Sequence, residues 1–150
     1  RQFSQRFARS GQPMIAVDTN ILARFYVDDT ADPEAARQRP IAERLMREGT
    51  GVLVTVTVLL EFAWVLRGFY GFETEDSARA IEHLIGLPNV TVEDWPAVLE
   101  AVRLYREGLD FADALHVSRA GQCERVYTFD DRKCARRATK LGVVPAVQVP

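Results

Sequence analysis

The feature that most constrains the fold is a regular alternation between short apolar segments and longer helix-like ones. The apolar segments are short enough to be strands, and they cover residues 14–17, 52–54, 90–92, 125–129 and 146–149. Sequences typical of helices fill the intervals between them. This order predicts an α/β fold in which helices flank a mostly parallel central sheet. Parallel strands place ligands at their carboxyl ends, where Asp18 follows the first segment.

Residues that start and stop helices support the predicted order. Asp32 and Pro33 open a helix that ends at Gly49, and Pro40 is expected to kink or split it. Thr74 caps the start of a later helix. Asp94 caps another, which runs to about residue 107.

The apolar run VTVLLEFAWVLRGFYG, around residues 57–71, is interpreted differently. Its apolar residues lie on most sides of a helix, so it is expected to be a central helix with little exposed surface. Two shorter helices are predicted for DFADALHVSRAGQ and for the basic segment DDRKCARRATKLG.

Composition narrows the class of protein. A chain of 150 residues with 47% hydrophobic and 27% charged residues is ordinary for one soluble domain, predicted here to span residues 14–150. The first 13 residues look unlike the rest and are interpreted as a tag remnant or a flexible arm. No apolar stretch reaches the roughly 20 residues of a membrane helix. Cys123 and Cys134 are interpreted as small hydrophobic residues, which favours a reducing compartment such as the cytoplasm.

Acidic residues end or interrupt apolar segments at positions where charge is unexpected. Asp18 follows IAV, Glu61 lies within VTVLLEFAWVL, Asp113 lies within FADALHV, and Asp130 follows VYTF. Buried carboxylates are costly unless they are paired or bind a metal, so these acids together suggest a cation site. An all-oxygen ligand set suits Mg²⁺ or Mn²⁺ better than zinc.

Each acid also has a structural alternative. Asp18 would equally cap a helix that starts near Asn20, and Glu61 would extend from an exposed helical stripe if one existed. These alternatives stay open at the level of sequence. In two places, two nearby acids offer a choice of which one belongs to the site.

The first choice lies within the D-x-x-D pattern formed by Asp110 and Asp113. We assign Asp110 mainly to capping, because it precedes the helix, and Asp113 to the site, because it is flanked by apolar residues. The second choice is whether Asp130 or Asp131 is the fourth acid of the site. Asp130 comes directly after the predicted strand, and this position favours it.

The segments VDTNIL, LLEFAWVL, DFADALHV and TFDD, in this order, resemble those of the PIN-domain ribonucleases. The short single-domain form is similar to the VapC toxins of bacterial toxin–antitoxin pairs, and the resemblance covers nearly all of residues 14–149. It implies a PIN-like three-layer fold and a metal-dependent endoribonuclease. In that enzyme Asp18, Glu61, Asp113 and Asp130 would hold one or two Mg²⁺ or Mn²⁺ ions. Such ions activate water and stabilise the leaving oxygen in phosphodiester hydrolysis.

The resemblance also suggests supporting residues. Asn20 matches the family motif, and it is predicted with Thr19, Thr128 and Asp110 to orient the acids or a metal-bound water. The alternative role for Asn20 is helix capping. His116 and His83 are expected to be structural and solvated, respectively.

Basic residues crowd into residues 132–140, directly after Asp130. Arg132, Lys133 and Arg136 are predicted to bind the RNA backbone by neutralising phosphate charge. Arg67 is a weaker candidate for the same role. The alternative is an ordinary solvated helix face.

The resemblance implies partners as well. A pocket crowded with carboxylates would accept an arginine from another protein, and the family makes that protein a VapB-type antitoxin. The chain carries more aromatic residues in its early and central helices than one core needs, and some are expected to line a homodimer or antitoxin groove. They are Phe25, Tyr26, Phe62, Trp64, Phe69, Tyr70 and Phe72.

Two other functions compete with this one. A receiver-like signalling domain also sets acids around Mg²⁺, but it needs an aspartate after a middle strand, where this chain has Thr55. A PIN-fold protein that has lost catalysis and only binds RNA or a partner is the other alternative. The four intact acids argue against it.

Overall fold

The computed structural model describes residues 14–150, so the interpretation of the first 13 residues lies outside the described part. The chain divides into two compact units. The first contains residues 14–72 and 83–93, and the second contains Glu73–Glu82 and Asp94–Pro150. Each unit is described by itself.

The first unit is built on a three-stranded parallel sheet with the order β1-β2-β3. Ile15 and Ala16 of β1 pair with Val52 and Leu53 of β2, and β2 pairs in turn with β3. The strands are β1 (Ile15–Ala16), β2 (Val52–Val54) and β3 (Val90–Val92). All residues of β3 are buried, whereas Ile15 and Ala16 are exposed. The apolar segment 14–17 thus lies mostly outside the core, and only its last residue, Val17, is buried.

Two helices of the first unit begin after polar residues that the sequence indicates, Asp18 and Asp32, and a third begins after Thr55. They are α1 (Thr19–Tyr26), α2 (Pro33–Glu48) and α3 (Val56–Trp64), with α3 continued by a π-helical turn over Val65–Phe69. Asp32 caps α2 by accepting a hydrogen bond from the backbone N–H of Glu34 at 3.0 Å. Gly49 ends α2, and the Asn89 side chain donates to the backbone oxygens of Met46 and Gly49 at 2.7 and 2.8 Å. The α1 helix packs against both α2 and α3.

The second unit contains a parallel pair of strands and three complete helices among its described residues. The strands are β4 (Arg125–Tyr127) and β5 (Ala146–Gln148), and the helices are α5 (Trp95–Arg106), α6 (Phe111–Ser118) and α7 (Arg136–Leu141). A π-helical turn, Asp131–Ala135, leads into α7, and Gly142 ends that helix with a left-handed φ of 66°. The helix α4 (Thr74–Gly86) contributes residues to both units. Arg106 binds Glu75 and Glu82, at 2.9 and 2.7 Å, and so joins α5 to the first part of α4.

The predicted fold class is confirmed: the chain is α/β, and its described strand pairs are all parallel. Within residues 14–150 we find no helix that is both long enough and apolar enough to span a bilayer.

Pro40 does not split α2, which continues through it, because Pro40 is exposed and removes only one intrahelical donor. Two other local predictions are wrong. Asp94 does precede α5, but its side chain does not cap that helix. The backbone of Asp94 lies in the left-handed region, with φ of 51°. Its Oδ2 atom pairs with Nε of Arg119 at 3.1 Å.

The second wrong prediction concerns the burial of α3. One side of α3 and its π-helical extension is exposed, at Thr57, Glu61, Trp64 and Gly68, whereas Leu59, Phe62 and Leu66 are fully buried. Apolar side chains on most of a helix do not bury all of its surface when only one side has a packing partner.

Candidate functional site

Asp18 lies at the junction between β1 and α1. Its backbone is extended, and its Oδ1 atom accepts a hydrogen bond of 2.6 Å from the backbone N–H of Thr19, at the first residue of α1. The residue is exposed. The structure therefore contains the helix-capping contact that the sequence left open, and that contact uses one carboxylate oxygen.

Thr19 connects α1 to the acid on α3. The Thr19 side chain is buried, and its hydroxyl donates a hydrogen bond to Oε1 of Glu61. Glu61 lies on the exposed side of α3. Thr19 thus holds one oxygen of the Glu61 carboxylate, as a supporting polar residue should. Asn20 is exposed in the first turn of α1.

Asp110 and Asp113 take different roles in the second unit. Asp110 caps α6, because its Oδ2 accepts from the backbone N–H groups of Ala112 and Asp113 at 3.1 and 3.4 Å. Asp113 follows in the first turn and is half-buried. Burial raises the pKa of the Asp113 carboxyl, and the negative charges of Asp110 and Asp130 raise it further. The positive charge of His116 opposes that rise in pKa.

Asp130 and Asp131 are distinguished by their contacts. Asp130 is exposed, and its Oδ1 accepts from the backbone N–H of Lys133 at 2.9 Å, while its own N–H donates to Oγ1 of Thr128 at 3.1 Å. Asp131 forms an ion pair with Arg136 at 2.8 Å. Thr128 and the backbone N–H of Lys133 thus hold Asp130 in place, whereas the charge of Asp131 is neutralised by Arg136.

The buried thiol of Cys134 lies close to these acids. Burial raises its pKa to about 11, and the charges of Asp113 and Asp130 contribute to that rise. Cys134 therefore stays a neutral thiol at physiological pH. The interpretation as a small hydrophobic residue is confirmed for Cys134 and wrong for Cys123, which is exposed.

The predicted RNA-binding residues lie on an exposed basic surface. Arg132 and Lys133 are exposed in the π-helical turn before α7, and Arg136 is exposed although it pairs with Asp131. An open cleft of about 550 Å³ lies beside α7. Its lining includes Arg136, Lys140 and Val147 of β5.

His83 and Arg67 make contacts that the sequence did not reveal. His83 is exposed, as expected for a solvated residue, and its Nδ1 lies 2.8 Å from the hydroxyl of Tyr26. Arg67 donates from Nη1 to the backbone oxygen of Phe72 at 2.6 Å. Tyr26 and His83 are 57 positions apart and are brought together by folding, whereas Arg67 and Phe72 are only 5 positions apart.

The structure brings the predicted residues together in two sets. Thr19 links Asp18 and Glu61 in the first unit, and Asp113 interacts with Asp110 and Asp130 in the second. Within residues 14–150, neither unit groups three or more His, Cys, Asp or Glu side chains in an arrangement that could already hold a metal ion.

Comparison with known proteins identifies the family. The PIN domain family matches residues 15–140. The chain is also similar to a protein from Aquifex aeolicus (strain VF5) named VapC ribonuclease, with 29% identity over 133 residues, which covers 86% of this chain and 93% of the relative. Both findings confirm the resemblance that the four segments indicate. The chain belongs to the PIN domain family.

Proposed function

We propose that this protein is a Mg²⁺- or Mn²⁺-dependent endoribonuclease and the toxin of a toxin–antitoxin pair. The proposal rests on membership of the PIN domain family and on similarity to a relative named VapC ribonuclease. One structural observation carries it: the Asp113 carboxyl is half-buried, and the negative charges of Asp110 and Asp130 act on it. A divalent cation relieves such repulsion, which otherwise disfavours the folded site.

The chemistry of the four acids fits a hard divalent ion. Each is a carboxylate, and oxygen ligands are those that Mg²⁺ and Mn²⁺ prefer. Among the described residues, the recorded hydrogen bonds engage Oδ1 of Asp18, Oε1 of Glu61 and Oδ1 of Asp130. The second oxygen of each carboxylate would therefore be available to a metal, while the first is oriented by a fixed donor.

In this proposal Asp18, Glu61, Asp113 and Asp130 bind the metal. Neighbouring polar residues orient these acids by hydrogen bonds. Thr19 orients Glu61, and Oγ1 of Thr128 supports Asp130 by accepting a hydrogen bond from the Asp130 backbone N–H. The ion would supply Lewis-acid activation of water for attack on phosphorus. Asn20 is proposed to assist from the first turn of α1.

Arg132, Lys133 and Arg136 are proposed to bind the RNA backbone. Arg132 and Lys133 are exposed next to Asp130, so they would neutralise phosphate charge close to an acid of the site. Arg136 pairs with Asp131, and its contribution would require that pair to open or to share the guanidinium. Binding that depends on such contacts weakens as the salt concentration rises.

The proposed partners follow from the toxin role. A VapB-type antitoxin would inhibit the enzyme by placing a cationic side chain among the acids, and the protein would act as a homodimer in the cytoplasm. Exposed Phe69 and half-buried Tyr70 are aromatic surface that a protein interface could use.

RNA cleavage tests the proposed activity. The purified protein is incubated with a mixed RNA pool in Mg²⁺, Mn²⁺ or excess chelator, beside the variants Asp18→Asn and Asp130→Asn. We expect wild-type cleavage only with metal, and a loss on the order of 100-fold or more in both variants, because each removes a charged ligand.

The matched control is Asp131→Asn, which removes the neighbouring acid that pairs with Arg136. It should keep cleavage within about threefold of wild type, since ion pairs at exposed sites have small effects. Cleavage that ignores chelator, or that survives Asp18→Asn, would refute the metal mechanism. RNA binding without any cleavage would instead favour the catalytically inactive alternative.

A further inference from the structure

An exposed tryptophan lies one helical turn beyond Glu61. Trp64 is 69% exposed at the end of α3, although large apolar side chains at such positions are usually buried. The exposed residues of this side of the helix, Thr57, Glu61, Trp64 and Gly68, recur at helical spacing. Trp64 therefore shares one surface with an acid of the proposed site.

The indole ring of Trp64 lies flat against Gly68. A methyl group placed on Gly68 would lie 3.4, 3.6 and 3.7 Å from Cε2, Cζ2 and Cδ2 of the ring, three atoms of its six-membered part. Nearly equal distances to three ring atoms mean that the ring presents its face to Gly68. One face of the indole thus covers the glycine, and the large exposed fraction of Trp64 leaves the other face to solvent.

The helix changes its geometry directly after Trp64. Val65–Phe69 form a π-helical turn, closed by a hydrogen bond of 3.1 Å from the Tyr70 N–H to the Val65 oxygen. Single π-helical turns within helices are rare and occur often at functional sites. Within this turn Arg67 is exposed, and its bond to the Phe72 oxygen restrains the guanidinium.

The charges around Trp64 favour a nucleic acid over a protein as the molecule that covers it. Glu61 precedes Trp64 by three residues and Arg67 follows it by three, and both are exposed. Protein–protein interfaces are enriched in tryptophan and arginine but depleted in glutamate, whereas surfaces that bind single-stranded nucleic acid combine exposed aromatic rings with cations. Trp64 lies between Arg67 and Glu61, an acid of the proposed metal site, so an RNA strand held at that site would reach the indole.

We propose that Trp64 is a stacking platform for one unpaired base of a single-stranded RNA substrate. The inference rests on the proposed ribonuclease function and adds a residue that would bind a base of the substrate. Glu61 would face the phosphate region, Trp64 would stack on a base, and Arg67 would contact the neighbouring backbone. A base within a duplex has no free face, so this platform selects unpaired RNA.

Binding of a labelled single-stranded oligoribonucleotide and of its duplex tests the proposal. Fluorescence anisotropy is measured in chelator, where cleavage stops, and cleavage of the same strand is measured in Mn²⁺. Trp64→Ala should weaken single-strand binding roughly 5- to 100-fold, and Trp64→Phe should recover most of it, because stacking needs an aromatic face. Duplex binding should be weaker than single-strand binding in the wild type and unchanged by Trp64→Ala.

The second tryptophan of the chain provides the matched control. Trp95 is 44% exposed at the start of α5, and Trp95→Ala should leave RNA affinity within about twofold of wild type. Single-stranded RNA should also quench the fluorescence of Trp95→Phe, in which Trp64 remains, more strongly than that of Trp64→Phe. Circular dichroism and size-exclusion chromatography check that each variant keeps its fold and its mass.

Distinct results separate the two proposals. If the wild type neither binds nor cleaves RNA, the ribonuclease function itself fails. If the wild type cleaves but Trp64→Ala binds and cleaves single strands equally well, the stacking role is wrong. A change of oligomeric mass in Trp64→Ala, or a loss of antitoxin binding with RNA affinity intact, would show that this surface is a protein interface and would also overturn the proposal.

Discussion

Asp113 is the acid of the candidate site whose negative charge is most clearly unfavourable in the folded protein. It is half-buried in the first turn of α6, and burial, Asp110 and Asp130 all raise its pKa. The carboxyl therefore binds its proton more tightly in the folded protein than in the unfolded chain. Its contribution to the free energy of unfolding is most favourable below the ordinary value of 3.8, and it is lost as the pH rises through the raised pKa.

Asp113→Asn removes this unfavourable charge. We expect the metal-free variant to have a higher Tm than wild type at neutral pH, with a difference that shrinks as the pH falls below the raised pKa. Thermal melts in chelator across a pH series measure this. Asp76→Asn, which changes an exposed acid at the start of α4, should not raise the Tm. A Tm lowered by Asp113→Asn at neutral pH would assign the carboxylate a structural role instead.

Residue types and their order were readable from the sequence, but their contacts were not. Each acid could be picked out because it interrupts or ends an apolar segment. The hydrogen bond from Thr19 to Glu61 could not be predicted, because it depends on how α1 packs against α3. The pairing of Asp131 with Arg136, which distinguishes it from Asp130, likewise depends on the π-helical turn before α7.

At the scale of elements, caps and glycines predicted helix ends better than side-chain pattern predicted burial. Asp32 and Gly49 bound α2 as expected, and Gly142 ends α7. The exposed side of α3 was missed because Trp64 and its neighbours follow no clear amphipathic pattern. A local apolar sequence does not indicate which side of a helix will find a packing partner.

The uninterrupted α2 helix yields a prediction about stability. Pro40 lies within α2, where it removes the hydrogen bond that a backbone N–H at this position would make. Pro40→Ala should raise the free energy of unfolding by about 1–3 kcal/mol, since alanine restores the donor and removes the ring. Chemical denaturation measures the change. The control is Arg44→Ala, at an exposed position of the same helix, whose free energy of unfolding should stay within about 0.5 kcal/mol of wild type. If Pro40→Ala instead lowers the free energy of unfolding, the proline ring makes stabilising contacts.

At the scale of the whole molecule, strand–helix alternation was sufficient to predict an α/β chain with parallel strands. Membership of the PIN domain family confirms that prediction over residues 15–140. The sequence could not predict that the described strands form one sheet of three and one pair, because strand order depends on contacts between distant segments. The candidate site is likewise composed of residues from distant segments, from Asp18 to Asp130.

Metal binding tests the assignment of these acids to a metal site without requiring that the RNA be known. Mn²⁺ is titrated calorimetrically into the wild-type protein, Asp113→Asn and Asp131→Asn. We expect saturable binding by wild type and by Asp131→Asn, and an affinity at least about 10-fold weaker for Asp113→Asn, which removes a proposed ligand. Absence of saturable binding by wild type, or equal affinity in all three proteins, would contradict the assignment of these acids to a metal site.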